Sequence, residues 1–301
     1  MTTLNTIFEI ASNNADYVDK DAKKAFSQLN ATLLKGMKEF PVFNEPCSLY
    51  RFVGFPQLQI GFDVRENEIM KDLEEGRITL SNPIGFNDPM DPIIRVWAEL
   101  QREDSQLQID KNIRRLLTDI MSHFRVGCFV HEPITPFVVD KNNNVELVRP
   151  YENTLMWGHY AKGHRGICIK YRISPEMLVP YIDAHNHLCI GDVRYKEHKM
   201  LTSDISFVNS MLAKSSSWEY EHETRIVYYK EDISDWYGEN EKVKNYISLK
   251  GFEIEAICMG MRISSKYKNA IIDLVQRKRN IELYQMDFDP CDLTKLMAVN
   301  V

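Results

Sequence analysis

The chain has 301 residues, of which 44% are hydrophobic and 27% are charged, and its formal net charge is −6. This composition is typical of a globular protein that buries a sizeable core, as one large domain or two small ones. The negative charge argues against broad nonspecific binding to nucleic acid, though not against a local basic cleft. No apolar run approaches the roughly 20 residues that span a bilayer. The N-terminus lacks a basic segment followed by an apolar core, so we expect no signal peptide.

The six cysteines are scattered along the chain, and no two of them form a Cys-x-x-Cys pair. Several lie inside apolar runs, where a free thiol behaves as a small hydrophobic side chain. The cysteine usage therefore predicts a reduced, cytoplasmic protein without a cysteine zinc site.

Residues 1–45 are predicted to form a helical extension, and residues 46–301 one α+β domain. In chain order, the first half of the pattern predicts a strand at 48–53, a helix at 68–75, a strand at 77–81, a loop rich in turn formers at 85–92, a helix at 110–123, a strand at 125–130 and a polar turn at 140–145. The second half predicts strands at 166–171 and 193–195, a helix at 202–214, an acidic strand and a loop at 232–244. A strand at 254–260, a helix at 265–278 and a closing strand at 281–286 complete the domain.

The acidic strand is the most informative segment for function. The run Trp-Glu-Tyr-Glu-His-Glu-Thr-Arg over residues 218–225 continues into β-branched and aromatic residues at 226–229, which favour a strand. Side chains two apart in a strand share a face, so Glu221, Glu223 and Arg225 are expected to point the same way, at the mouth or edge of a sheet. Two crowded carboxylates resist joint ionisation unless a positive charge lies near, and such a face is rarely built for stability.

Several segments together resemble a bacterial family called domain of unknown function 2971. They are Leu-Tyr-Arg at 49–51, Ile-Thr-Leu-Ser at 78–81, Phe-Asn-Asp-Pro at 86–89 with Asp91, Met-Trp-Gly-His-Tyr at 156–160, His-Arg-Gly-Ile-Cys-Ile at 164–169, Trp218 with Glu221, Glu223 and Arg225, and Ile-Cys-Met-Gly at 257–260. They span roughly residues 48–290 in the order of the family. The resemblance implies no activity.

The order of three motifs is similar to that of the Arg-Ser-Glu class of ADP-ribosyltransferases. This resemblance implies a mixed, split β-sheet flanked by helices, with NAD bound as substrate between the Arg51 strand and the Glu223 strand. Arg51 would hold a phosphate of NAD, and Ser81 with Thr79 would brace the site. Glu223 would stabilise the oxocarbenium-like charge as nicotinamide leaves, and Glu221 would orient or deprotonate the acceptor.

The chain departs from this class in places, among them the Asn-Asp-Pro loop, which has no counterpart there, and a functional interpretation of further residues extends the site. The strand at 78–81 has Thr-Leu-Ser where the class has Ser-Thr-Ser, and Phe52 follows Arg51 where the class often has a small residue. Further NAD-binding side chains are expected to be Tyr50, Phe86, Asn87, Asp88, His159, Tyr160 and Arg225.

Structural interpretations of the same residues stay open at this point. Arg51 would then pair with a surface carboxylate, and the glutamates would form a solvated edge face. Asn87 and Asp88 would serve turn chemistry alone. His159 would bond a loop carbonyl.

The sequence therefore predicts an enzyme, an ADP-ribosyltransferase that transfers ADP-ribose from NAD to a macromolecule. A protein arginine is slightly favoured as acceptor over nucleic acid, and a toxin or phage-defence role would follow from such activity. We expect Glu223→Ala to keep the fold and abolish turnover, and Arg51→Ala to weaken NAD binding. One alternative is a metal-dependent phosphoesterase or nuclease that holds Mg²⁺ through Asp88, Asp91 and the glutamates. The other is a non-catalytic nucleotide-sensing or interaction domain.

Overall fold

The computed structural model describes residues 45–55, 64–88, 91, 118–131, 138–139, 145–146, 149–196, 207–236 and 245–301, together with positions 35, 37 and 38. The predicted helical extension over residues 1–45 thus lies almost wholly outside the described residues. Positions 35, 37 and 38 within it are helical, and the Met37 side chain is buried.

The strands are β1 (Cys47–Val53), β2 (Ile78–Ser81), β3 (Phe124–His131), β4 (Val138–Val139), β5 (Val145–Glu146), β6 (Ile167–Ile173), β7 (Asn186–Asp192), β8 (Arg194–Lys196), β9 (Ala213–Ser215), β10 (Glu223–Lys230), β11 (Tyr246–Leu249), β12 (Glu253–Met259), β13 (Glu282–Phe288) and β14 (Leu296–Asn300). The helices are α1 (Val64–Glu75), α2 (residues 118–122), α3 (Thr154–His159), α4 (Pro175–Leu178), α5 (Phe207–Met211) and α6 (Ser265–Lys278).

A large mixed sheet organises this α+β fold. Within the described residues it has ten strands, in the order β11-β2-β3-β1-β6-β12-β13-β14, with β10 pairing β3 and β7. The β12–β13 pair is parallel and is connected through α6, while the other pairs in this sheet are antiparallel. The long β3 and β10 strands pair along almost their whole length.

The sheet divides where β1 and β2 meet the same side of β3. β10 pairs with one side of β3 along almost its whole length, and β1 and β2 share the other side. On that side, β1 pairs with β3 only at Leu49↔His131 and Tyr50↔Val130, and β2 only at Ser81↔Val126. Residues 127–129 of β3 therefore pair with neither β1 nor β2. We call this gap between β1 and β2 the fork. The Arg51 guanidinium donates to the Thr79 carbonyl and lies 5.5 Å from the centre of the Phe129 ring, so it bridges the two arms of the fork.

Alternation along the strands separates two hydrophobic layers. Leu49 and Phe129 belong to the larger core, which α1 and α6 cover, with buried side chains such as Leu73 and Ile271. Tyr50 belongs to the smaller core, which packs against α3. Since successive strand residues point to opposite faces, Arg51 points away from the face that Tyr50 occupies.

Close backbone contacts hold one end of the sheet together. A Cβ at Gly166 would lie 2.0 Å from the Val53 carbonyl oxygen, and one at Gly260 would lie 2.4 Å from the His164 carbonyl oxygen. The loop before β6 has positive φ at Lys162, Gly163 and His164, a conformation that L-residues rarely adopt. These approaches fix the loop between α3 and β6 against the ends of β1 and β12.

The sequence predicted nine elements close to their observed bounds, among them β1, β3, β6, β12, β13 and α6. The predicted helix at 202–214 is wrong in its second half, because α5 ends at Met211 and Ala213–Ser215 is a strand; residues 202–206 lie outside the described residues. The stretch Asn186–Asp192, to which the sequence pattern assigned neither helix nor strand, is β7. Within the described part of the chain, no helix is both long and apolar enough to cross a membrane.

We predict that Gly166→Ala destabilises the fold by about 1–3 kcal/mol, because the added methyl group would overlap backbone atoms, which cannot rotate away as a side chain can. Gly158, in α3, is the matched control, since a Cβ there meets nothing within 4 Å. Gly158→Ala should raise stability by roughly 0.5–1 kcal/mol through the helix preference of alanine. Urea unfolding of the three proteins tests both changes, and equal midpoints would contradict this account of the sheet end.

Candidate functional site

The two glutamates of the acidic run lie on either side of a backbone kink. Glu221 ends a 3₁₀ helix over Ser216–Glu221, His222 has φ 44°, and β10 begins at Glu223. The expectation that all three charged residues share one strand face is therefore wrong for Glu221, which precedes the strand. It is right for Glu223 and Arg225, whose side chains bond each other at 2.7 Å.

The strand that carries Glu223 is internal and not at an edge. β10 has β3 on one side and β7 on the other. Glu221 and Glu223 are only 2% and 4% exposed, and Arg225 is 0% exposed. A solvated edge face is thus excluded, and the charges require partners inside the protein.

Lys214 lies between the two glutamates. Its Nζ is 2.5 Å from a Glu221 oxygen, 3.2 Å from a Glu223 oxygen and 3.4 Å from an Asp91 oxygen. The strand β9, which pairs with β8, carries Lys214 into the interior. A buried ammonium is stable there because three carboxylates surround it.

Arg225 completes what we call the ionic cluster, which consists of Asp91, Lys214, Glu221, Glu223 and Arg225. The Arg225 Nε donates to Glu223 at 2.7 Å, and one Nη donates to both Asp91 oxygens at 2.7 Å. The other Nη donates to the Met211 carbonyl at 2.7 Å. This arginine therefore joins β10 to position 91 and to the end of α5.

The charges of the ionic cluster do not balance. Three carboxylates, each in contact with a cation, share two cations, so the described groups of the cluster carry one net negative charge when all are ionised. Burial raises the pKa of Asp91, an effect that Arg225 opposes. The cluster therefore has an affinity for one further positive charge, either a proton or a cationic group.

The two glutamates differ in proton affinity. Burial raises the pKa of Glu221, and the opposing charge of Lys214 does not cancel that effect. Burial would also raise the pKa of Glu223, but Arg225 and Lys214 outweigh it and lower the pKa to about 2. A pair of carboxyl groups whose environments separate their pKa values is suited to one ionised role and one proton-transfer role.

An aromatic rim, defined as His159, Tyr160, Trp218 and Tyr220, covers the ionic cluster. The Tyr160 hydroxyl donates to Glu221, and the Lys214 Nζ lies 5.0 Å from the centre of a Trp218 ring. The His159 ring is 6.0 Å from Trp218 and 6.1 Å from Tyr220. His159 is exposed and the other three rings are half-buried, so the rim separates the carboxylates from solvent.

The remaining predicted site residues are divided between two places. Phe86 packs against the ionic cluster, with its ring centre 5.5 Å from the Arg225 guanidinium. Asn87 and Asp88 follow it in the chain; Asn87 is exposed and Asp88 is half-buried. Arg51 and Thr79 are at the fork, where the Thr79 hydroxyl bonds Asp72 and Ser248.

Tyr50 and Ser81 lie on the face of the sheet that carries Glu223. Tyr50 and Glu223 both align with Val130 on β3, but the Tyr50 ring packs beside Tyr151. Ser81 is half-buried. The structure thus brings the glutamates together with Arg225, Phe86, His159 and Tyr160, and leaves Arg51 on the opposite face.

Three of the four carboxylates proposed as magnesium ligands are engaged by cations. Asp91, Glu221 and Glu223 all contact Lys214 or Arg225. In the described part of the chain, no group of three or more His, Cys, Asp and Glu side chains is placed to hold a metal ion.

Two contributors were missed by reasoning from the sequence. Lys214 was assigned to a helix, and Tyr195, whose hydroxyl accepts the Glu223 amide at 2.7 Å, was assigned only to a short strand. An available signal was Lys214 itself, an isolated cation seven residues before Glu221. Three serines follow it, and serine favours turns over the interior of a helix.

The sequence profile of one family, described as "Protein of unknown function (DUF2971)", matches residues 156–226. The matched segment begins in α3 and ends in β10, so it contains the aromatic rim and most of the ionic cluster. It covers less than half of the chain, and the chain is similar to this family over that segment. No curated protein and no solved structure matches the chain.

We predict that Arg225→Met destabilises the protein by about 3–5 kcal/mol, because it leaves the buried carboxylates without their main counter-charge. Arg172→Met is the control, since that side chain is 51% exposed and pairs with Glu255 at the surface. It should change stability by less than about 1 kcal/mol. The measurement is the free energy of unfolding in urea; a similar small loss in both variants would refute the structural role of the ionic cluster. By the same reasoning, Glu223→Ala would leave buried cations with fewer partners and would reduce stability, unlike the expectation from the sequence that it keeps the fold. Glu223→Gln is therefore the better test of this residue.

Proposed function

We propose that the chain cleaves NAD and transfers ADP-ribose to a macromolecular acceptor, with Glu221 and Glu223 as the catalytic groups. The observation that carries the proposal is that the two carboxyl groups differ in pKa: Glu223 is held ionised, and Glu221 binds protons more readily. Glycosidic bond cleavage at a nucleotide needs both properties.

The chemistry follows from those properties. When the bond between the ribose C1′ and the nicotinamide nitrogen breaks, its electron pair leaves with nicotinamide and positive charge develops at C1′. The ionised Glu223 stabilises that charge, which also supplies the positive charge that the ionic cluster lacks. The acceptor atom then forms its bond to C1′, and Glu221 takes the proton that the acceptor loses.

The aromatic rim supports binding of a flat, cationic ring. Trp218, Tyr220 and His159 offer ring faces and edges beside a site with excess negative charge, and nicotinamide in NAD is a positively charged aromatic ring. Because both glutamates are buried, the rim has to move when NAD enters, and Tyr160 has to release Glu221.

The fork supports the split-sheet part of the proposal. Cys128, in the middle of the fork, pairs directly with Arg225 of β10. The fork is thus one strand spacing, about 4.8 Å, from the ionic cluster, and Arg51 lies in it. Because Arg51 points to the face opposite the glutamates, a dinucleotide would have to pass through the fork to bring a phosphate to Arg51, whose planar guanidinium suits that contact.

We expect Glu221→Gln and Glu223→Gln each to reduce nicotinamide release by about 10²-fold or more, while the shape of the site is kept. Glu219→Gln is the control, because Glu219 is an exposed glutamate on the same 3₁₀ turn. The measurement is nicotinamide release from NAD with a cell lysate as source of acceptors, and the mass of the adduct identifies the acceptor class. We favour a protein arginine.

Undiminished release in Glu223→Gln would contradict the assignment. If NAD raises the melting temperature of the protein but neither nicotinamide nor an adduct forms, the nucleotide-sensing alternative is favoured. That alternative agrees with one observation, namely that the described partners of Glu223 already engage both of its oxygens.

Arg51→Ala should raise the KM for NAD about tenfold with a smaller effect on kcat, because the guanidinium would bind phosphate and not the reacting carbon. Arg51→Lys should restore binding only partly, since an ammonium lacks the planar fork. Steady-state kinetics on the variants separate the two parameters. An unchanged KM in Arg51→Ala would remove Arg51 from the site and leave the glutamate pair to be tested separately.

A further inference from the structure

One end of the sheet carries cations in segments of the chain that contain no carboxylate. The sequence has no Asp or Glu from residue 153 to 175 and none from 256 to 272. The fold brings these two segments together, since the Gly260 amide donates to the Gly166 carbonyl and the Arg262 amide donates to the His164 carbonyl, both at 2.9 Å. Two segments without carboxylates thus become one surface.

Four cations define what we call the basic end: Lys162, Arg165, Arg262 and Lys268. Lys162 packs its stem on Gly54, and an Arg165 Nη donates to the Lys162 carbonyl at 3.3 Å. Lys268 is in the first turn and a half of α6, and Tyr267 beside it stacks on Phe55 at 4.1 Å. The first turn of α6 contains no acidic residue, so its positive dipole end adds to the same field.

These cations differ from several other cations on the described surface in their pairing. Lys71, Lys230, Lys250 and Arg277 each form an ion pair with a carboxylate. By contrast, none of the four cations of the basic end forms an ion pair with a carboxylate of the described residues. The pKa of His164, in the same loop, is lowered by burial and then by the charge of Arg262. The basic end is therefore a local positive field on a chain whose net charge is −6.

The aromatic rim adjoins the basic end. His159 is exposed and lies three residues before Lys162, and its ring contacts Trp218 and Tyr220. A positive surface that adjoins partly exposed aromatic rings is the arrangement that binds single-stranded nucleic acid, because phosphates meet the cations and unpaired bases stack on the rings. A duplex hides its base faces and a protein surface carries no regular row of phosphates, so both fit this combination less well.

We infer that the basic end and the aromatic rim together bind single-stranded nucleic acid, with the phosphate backbone on Lys162, Arg165, Arg262 and Lys268 and a base against His159. Recognition is mainly electrostatic and independent of sequence. The inference does not depend on the NAD chemistry, and its test needs no NAD. Where both hold, a bound strand would lie beside the site that cleaves NAD.

The test is fluorescence anisotropy of the full chain with a short fluorescein-labelled single-stranded RNA of mixed sequence, over a salt series. With about four phosphates neutralised, the logarithm of the association constant should fall against the logarithm of salt with a slope near −3. Arg262→Glu combined with Lys268→Glu should weaken binding about tenfold or more at low salt. Glutamate at position 268, in the first turns of α6, suits the helix dipole, and Arg262 is exposed before that helix, so we expect the double variant to fold.

The matched control is Lys250→Glu combined with Arg277→Glu, which changes the net charge equally at side chains that are 69% and 67% exposed. Its affinity should fall much less. An equal loss in both double variants would reduce the effect to net charge and overturn the inference, as would no binding by the wild-type chain. Equal affinity for a duplex of the same sequence, or no loss in His159→Ala, would overturn the part played by base stacking. Melting curves of each variant show that it is folded.

Discussion

The compensation of buried charge is the constraint on which the rest of this site depends. Arg225 has no solvent exposure and carries its charge in the middle of an internal strand. A cation in that position is tolerated only if carboxylates are brought to it, and Glu223 and Asp91 come from different parts of the chain to do so. Lys214 then becomes necessary, because the carboxylates that satisfy Arg225 repel each other. The ionic cluster thus fixes β9, β10 and position 91 in one arrangement.

The kink at His222 follows from the same requirement. If Glu221 continued the strand, it would stand two residues from Glu223 on the same face, at a similar height above the sheet. The left-handed backbone at His222 instead turns the 3₁₀ helix so that Glu221 meets Lys214 from one side and Glu223 meets it from another. A strained residue at this point separates the environments of the two carboxyl groups. It is that separation, and not the mere presence of two glutamates, that makes them chemically different.

The sequence predicted those parts of the fold in which local pattern and tertiary context agree. The strand β1, the helix α6 and the strand β12 show clear apolar periodicity, and their observed bounds differ from the predicted ones by at most a residue or so. It failed where burial depends on distant partners. β7 carries a histidine, an asparagine, a glycine and an aspartate, which suggest a loop, yet its alternate residues Leu188 and Ile190 are buried because β10 pairs with it.

The candidate site shows the same division. The Glu-x-Glu-x-Arg spacing was sufficient to identify Glu223 and Arg225 as neighbours, because strand geometry is local. Lys214 and Asp91 could not be identified as their partners from spacing, since only the tertiary fold brings them there. For Arg51, order along the chain gives the same site as the glutamates, whereas alternation in β1 directs its side chain to the other face of the sheet, into the fork; its predicted role in NAD binding stays a prediction.

The total charge of the chain conceals how its charges are distributed. A net charge of −6 argues against nucleic-acid binding only if the charge is spread evenly. Here, three carboxylates are buried in the ionic cluster, where they act on Lys214 and Arg225, and others, such as Glu74 and Glu255, are paired with surface cations. A positive field screened over roughly 10 Å at moderate salt acts on what lies near it and not on the whole molecule. In the two proposals made above, the exposed basic end would hold an anionic strand, whereas the buried ionic cluster would act on a cationic reacting group.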